Sequence, residues 1–233
     1  MLLIVQTGTT HLHGDYPAWF MRALGMPDLP VCRAFAGERL AAAIGKHRPE
    51  GVVVTGSPLS VMDEAPWMLE LGSELLRLGA RGTPVLGVCF GHQLLARAAG
   101  GRVVLNPRGR EIGTVEVQLS EAGRRDALFA WAGGAPEIEV QATHMDAVDP
   151  LPPGAVVLAS NENTSAQAFR LSETVAAVQF HPELSVEAMR DLIFSRRDKL
   201  QSEGRDPGAL AGAVHDVQAG QILRAFAAHA AKS

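Results

Sequence analysis

The sequence predicts an α/β fold, with a central, mostly parallel sheet carrying helices on both faces, and three observations support that expectation. Short apolar runs rich in Val, Ile and Leu alternate with longer amphipathic stretches through the first hundred residues, which is the pattern of βαβ units. Between about 102 and 180 the runs shorten and are divided by Gly, Pro, Asn and Asp, as in antiparallel strands. Beyond 185 helical periodicity returns. At 233 residues and 47% hydrophobic composition, the chain suits one large domain better than two small ones.

Met1-Leu-Leu-Ile-Val5 is apolar but short, lacks a basic flank and runs into Gln6-Thr7-Gly8. It therefore reads as a core strand at 2–6 and as neither a signal peptide nor a membrane span. Further strands fall near 29–35, 51–55 and 83–88. Helices fall at 17–24, 38–46 and 66–79, the last with Pro66 at its first turn, where a missing N–H costs nothing. A strand, turn and helix occupy 83–100. The shorter runs lie at 102–105, 114–119, 137–142, 155–160, 166–171 and 175–179. Helices at 185–203 and 217–230 follow, separated by the polar Ser202-Glu-Gly-Arg-Asp-Pro-Gly208. Arg196-Arg-Asp-Lys199 reads as a solvated helix face rather than a docking patch.

The formal net charge is −4 with acids and bases interspersed, so no electrostatic footprint for nucleic acid or an anionic membrane appears. Small molecules or proteins are the expected partners. Cys32 and Cys89 are the only cysteines, too few for a disulfide framework and consistent with a reducing cytoplasm. His11-Leu-His13-Gly-Asp15 offers an HxHxD spacing without the surrounding ligand pattern of a metal site. It reads as a loop, and no metal or cofactor is expected.

The chemistry concentrates on Gly87-Val-Cys-Phe-Gly91, where a buried-type strand meets a helix. A sharp strand-to-helix turn exposes its central residue at the carboxyl edge of a sheet, and flanking glycines let the backbone fold tightly. The helix N-terminus adds partial positive charge, which favours an attacking thiolate. Val175-Ala-Ala-Val-Gln-Phe180 then delivers His181-Pro-Glu183 at the end of a core strand. An imidazole oriented by a carboxylate is the base that Cys89 needs. Gly51-Val-Val-Val-Thr-Gly-Ser-Pro58 is a strand ending in a glycine turn, whose N–H groups, with that of Phe90, are placed to hold a tetrahedral oxyanion. His92, in the helix's first turn, reads as a packing residue rather than the base.

With Gly56-Ser-Pro58, Gly87-Val-Cys-Phe-Gly-His-Gln93 and Val178-Gln-Phe-His-Pro-Glu183 in this order, the sequence resembles the class I, triad-type glutamine amidotransferases. The likeness is to stand-alone members similar to the amidotransferase domain of guanosine monophosphate synthetase. It implies a three-layer flavodoxin-like fold with a small antiparallel section, over residues 1–184, and a C-terminal helical extension at 185–233 packed on the same domain. It implies that Cys89 attacks the glutamine side-chain amide, that His181 and Glu183 complete the triad, and that a γ-glutamyl thioester forms. It further implies an oxyanion hole from the backbone of Ser57 and Phe90 with Gly56 supporting the turn. Substrate contacts would come from Gln93 and from Thr143-His144-Met145-Asp146. No nucleotide-binding glycine pattern occurs, so an ammonia-accepting synthase would be a separate partner. The resemblance extends to γ-glutamyl peptidases and hydrolases, with the loops at 9–20 and 106–113 as the expected discriminators, and a non-catalytic regulatory subunit of the same fold is the third reading.

Overall fold

The computed structural model describes residues 1–12 and 15–232. The helical and extended elements run in the order β1 (Leu2–Gln6), α1 (Asp15–Leu24), β2 (Val31–Arg33), α2 (Leu40–His47), β3 (Gly51–Val54), α3 (Pro66–Ala80), β4 (Val85–Val88) and α4 (Phe90–Ala98). Then come β5 (Val103–Leu105), β6 (Glu111–Leu119), α5 (Glu121–Arg125), β7 (Glu137–His144), β8 (Asp146–Val148), β9 (Val156–Ser160), β10 (Ala168–Arg170) and β11 (Val175–Val178). The chain closes with α6 (Val186–Ser195), α7 (Arg197–Ser202), α8 (Pro207–Ala213) and α9 (Gln221–Ala230).

Among the described residues one sheet has the strand order β2-β1-β3-β4-β11-β10-β9-β6-β7. The first five strands are parallel, and β10, β9, β6 and β7 continue the same sheet antiparallel. A separate antiparallel pair joins β5 to β8. Every residue of β1, β3, β4 and β11 is buried, because helices cover both faces of a parallel sheet, which is why these strands read as unbroken apolar runs. One face packs against α1 and α9 through Phe20, Ile222, Leu223 and Phe226, and the other against α3 and α4 through Leu71, Leu75, Leu94 and Leu95. A third apolar cluster joins Tyr16 and Trp19 to Met189, Leu192, Ile193 and Leu200. No helix among the described residues is long and apolar enough to cross a membrane.

The expected single helix at 185–203 is two, broken at Arg196, which has φ −106° and ψ 13° and whose N–H donates to Ile193 O at 3.1 Å. Neither Pro nor Gly marks that break in the sequence. The polar stretch expected to separate the C-terminal helices instead starts α8. Asp206 accepts from Gly208 N at 2.8 Å and Pro207 takes the first helical turn, a cap followed by the proline that suits it. The strand β8 and the helical turns at 121–125 and 127–132 were not anticipated.

Candidate active site

Three adjacent parallel strands, β3, β4 and β11, end side by side, with Val54 beside Gly87 and Val178 beside Val88. Their carboxyl edge is where open α/β sheets place their sites. There β3 delivers Gly56 and Ser57, β4 delivers Cys89, and β11 delivers His181.

Cys89 sits at the junction of β4 and α4 with φ 51° and ψ −99°. A side chain at positive φ costs about 1–3 kcal/mol and persists only where the surroundings enforce it. Here Cys89 N donates to Val178 O at 2.9 Å, and Cys89 O accepts from Gln93 N at 3.1 Å. Both flanking glycines are required by space. A Cβ at Gly87 would lie 2.5 Å from Gly91 O, and one at Gly91 would lie 2.8 Å from Val54 O. The elbow is thus locked between its own helix and the neighbouring strand.

His181 is 4% exposed, and its backbone N–H donates to Gln141 O of β7 at 2.7 Å. Its Nδ1 is 2.7 Å from Glu183 Oε1, a carboxylate itself buried. The opposite nitrogen, Nε2, is buried without a hydrogen-bond partner among the described residues, and so is free to serve Cys89. Burial works against charge on the ring, but the Glu183 carboxylate and Cys89 outweigh it and raise the His181 pKa to about 10. The pair therefore holds a proton on His181 at neutral pH.

Gly56 allows this closeness, since a Cβ there would meet His181 Cε1 at 2.9 Å and Cys89 Cβ at 3.6 Å. Ser57 Oγ donates to Thr7 O at 2.9 Å and accepts from Leu59 N, which ties the turn to β1 and leaves Ser57 lining the pocket beside Cys89. Phe90 is the first residue of α4, where a backbone N–H has no acceptor within its own helix.

The pocket has a volume of about 310 Å³, and Gln93, His144, Met145 and Asp146 line it with the elbow. Gln93 Nε2 donates to Asp146 O at 3.2 Å and to Gln179 Oε1 at 3.1 Å. Both ring nitrogens of His144 are occupied, by Asp146 O at 3.1 Å and by Glu111 Oε2 at 2.9 Å. His144 is therefore a wall of the pocket with its ring already engaged. Asp146 Oδ2 accepts from Ser60 Oγ at 2.7 Å. His92 is fully buried against Phe169, and burial lowers its pKa to about 3, so it packs as a neutral ring.

One pocket group lies outside the residues expected from the sequence. Arg196, expected on a solvated face, is half-buried and lines the pocket, while Arg197, Asp198 and Lys199 stay exposed. In the 9–20 stretch, Tyr16 is buried near Gly56, and burial, with Cys89 next, raises its pKa. The 106–113 stretch reaches the pocket through Arg110. A groove of about 290 Å³ between α2 and α3 has Glu74, Arg77 and Arg81 as its charged lining and contains no nucleophile. Of the HxHxD spacing, His13 lies outside the described residues. Asp15 is committed to Gln6 Nε2, Thr10 N and Tyr16 N at 2.6–2.8 Å. No cluster of three or more metal-type ligands occurs among the described residues.

The family model for "Glutamine amidotransferase class-I" matches residues 34–198. A Saccharomyces cerevisiae protein with a glutamine amidotransferase name is 35% identical over 157 residues, 66% of this chain and 60% of that protein. The glutamine-hydrolysing GMP synthase of Leifsonia xyli is 37% identical over 145 residues, 62% of this chain and 28% of the synthase. Gamma-glutamyl peptidase 4 of Arabidopsis thaliana is 31% identical over 157 residues, 66% of this chain and 60% of the peptidase. The chain thus spans less than two thirds of the length of these curated relatives. In fold it is similar to a Thermotoga maritima glutamine amidotransferase structure, with TM-score 0.80 over 100% of this chain and 99% of the other at 20% identity.

Proposed function

Because the chain belongs to the class I glutamine amidotransferases, we propose that it hydrolyses the side-chain amide of glutamine to glutamate and ammonia, with Cys89 as nucleophile. The observation that carries this reading is the strained Cys89 elbow facing His181, whose other nitrogen is held by Glu183 at 2.7 Å. The Cys89 thiolate attacks the amide carbon, and the oxyanion that forms is held by the backbone N–H groups of Ser57 and Phe90. His181 gives its Nε2 proton to the departing nitrogen as the C–N bond breaks, leaving a γ-glutamyl thioester. It then takes a proton from water, which adds to the thioester carbon. Collapse of that adduct breaks the C–S bond and releases glutamate. Glu183 keeps the ring oriented and stabilises its charged form. Gln93, His144 and Met145 shape the amino-acid end of the pocket. Ammonia would pass to an ammonia-accepting synthase, and residues 185–233 act as an extension of the one catalytic domain.

A second reading, a γ-glutamyl peptidase using the same triad, is favoured by the peptidase relative, whose identity is close to that of the synthase relative. The thioester chemistry is common to both, and the leaving nitrogen distinguishes them. Purified protein should release glutamate and ammonia from glutamine, and Cys89→Ala should lower the rate by roughly 10⁴-fold or more with an unchanged circular dichroism spectrum. Undiminished turnover in that variant would remove Cys89 from the mechanism. Faster release of amine from a γ-glutamyl peptide than of ammonia from glutamine would select the peptidase reading.

A further inference from the structure

Arg196 is a charged group in the pocket without a counter-ion. The helix break turns it inward, and Leu192, Ile193 and Leu200 on either side are buried against Trp19 and Ile112, which fixes the corner. Its Nη1 donates to Thr143 Oγ1 at 2.5 Å, and among the described residues no carboxylate pairs with it. Arg110, which lines the same pocket, is neutralised by Glu203 at 3.1 Å. Arg39, Arg97 and Arg170 likewise have Glu70, Glu64 and Asp126. A half-buried guanidinium left unpaired loses hydration without recovering it elsewhere, and a bound anion relieves that cost. Its planar fork matches a carboxylate through two parallel hydrogen bonds. Asp146 on the same pocket supplies the opposite charge, so the two together suit a zwitterionic amino-acid end.

Resting on the γ-glutamyl reading above, we propose that Arg196 binds the α-carboxylate of the γ-glutamyl group and thereby restricts the nucleophile to γ-glutamyl amides over simple amides. The charge of Arg196 also acts on Cys89 and Tyr16, so its alternative role is to support the thiolate itself. The two roles separate by probe.

The test compares Cys89 alkylation, followed by intact mass, by two reagents. One is the chloromethyl ketone analogue of glutamine, which carries the amino-acid end, and the other is chloroacetone, the same electrophile without it. The full chain should react faster with the glutamine analogue. Arg196→Gln should lower that preference roughly 10- to 100-fold, the range expected for a hydrogen bond to a charged group, by slowing the glutamine analogue more than chloroacetone; Arg196→Lys should fall between. An unaltered preference, or equal slowing with both reagents, would overturn the proposal, the latter assigning Arg196 to the thiolate or to the fold. No preference in the unsubstituted protein would overturn the γ-glutamyl reading itself, and the proposal with it.

Discussion

A single methyl group at position 56 measures how closely the triad is built. A Cβ there would lie 2.9 Å from His181 Cε1, tighter than van der Waals contact, so Gly56→Ala must shift the imidazole off Cys89. Misplacement of about 1 Å can cost on the order of 10²-fold in rate. The expected outcome is a loss of about that size in kcat with little change in Tm, and wild-type turnover would show that His181 is not the working base. Glu183→Gln probes the charge behind the ring. With the carboxylate present the His181 pKa stands near 10. The folded state binds this proton more tightly than the unfolded chain, so its stabilisation is full below about pH 6.5 and is lost as pH rises through about 10. In Glu183→Gln the alkaline limb of kcat/KM should move down toward 6.5, and the pH-dependent loss of stability should begin earlier. A limb that stayed near 10 would mean that another group sets it. These residues were legible in the sequence because each follows a buried strand and sits in a local motif. Arg196 was not, since what makes it a pocket residue is the packing of segments far apart in the chain.

Among the elements, β6 and β7 meet through a buried polar knot that sequence patterning could not show. Glu111 on β6 receives His144 of β7 at 2.9 Å, Asn161 at 2.6 Å and Gln167 at 2.5 Å. Burial alone would raise the Glu111 pKa, but these hydrogen bonds overcome it and hold the carboxyl below its ordinary 4.5. Its stabilisation is therefore present above about pH 4.5 and lost as the pH falls below that toward the folded value. Glu111→Gln should destabilise the protein by about 1–3 kcal/mol at neutral pH and flatten the acid side of its stability profile. An acid limb of unaltered steepness would place the titration elsewhere. The parallel strands were readable because burial on both faces makes them continuous apolar runs. Helix ends read less well. At Asp206-Pro207 the residues taken for a linker are a cap and a first turn, and at Arg196 a helix stops with no local breaker.

At the scale of the whole molecule, the segment after 184 supplies core that nothing else provides. Ile222, Leu223 and Phe226 of α9 join Phe20 and Phe129 on one face of the sheet. Met189, Leu192, Ile193, Leu200 and Val214 close the cluster around Trp19. A Cβ at Gly51 would lie 2.7 Å from Ala230 Cβ, so the end of α9 is seated directly on β3. Each large apolar side chain buried contributes about 1.5–3 kcal/mol, and eight of these lie beyond residue 184. Their combined loss is comparable to or larger than the roughly 5–15 kcal/mol that stabilises a typical domain. A chain ending at 184 should therefore lack a cooperative thermal transition, bind a hydrophobic dye and lose its near-ultraviolet circular dichroism, even though it retains Cys89, His181 and Glu183. Cooperative unfolding of that fragment within a few degrees of the full chain would make the extension separable. Its loss would instead tie the triad's stability, and the presence of Arg196 in the pocket, to the same helices.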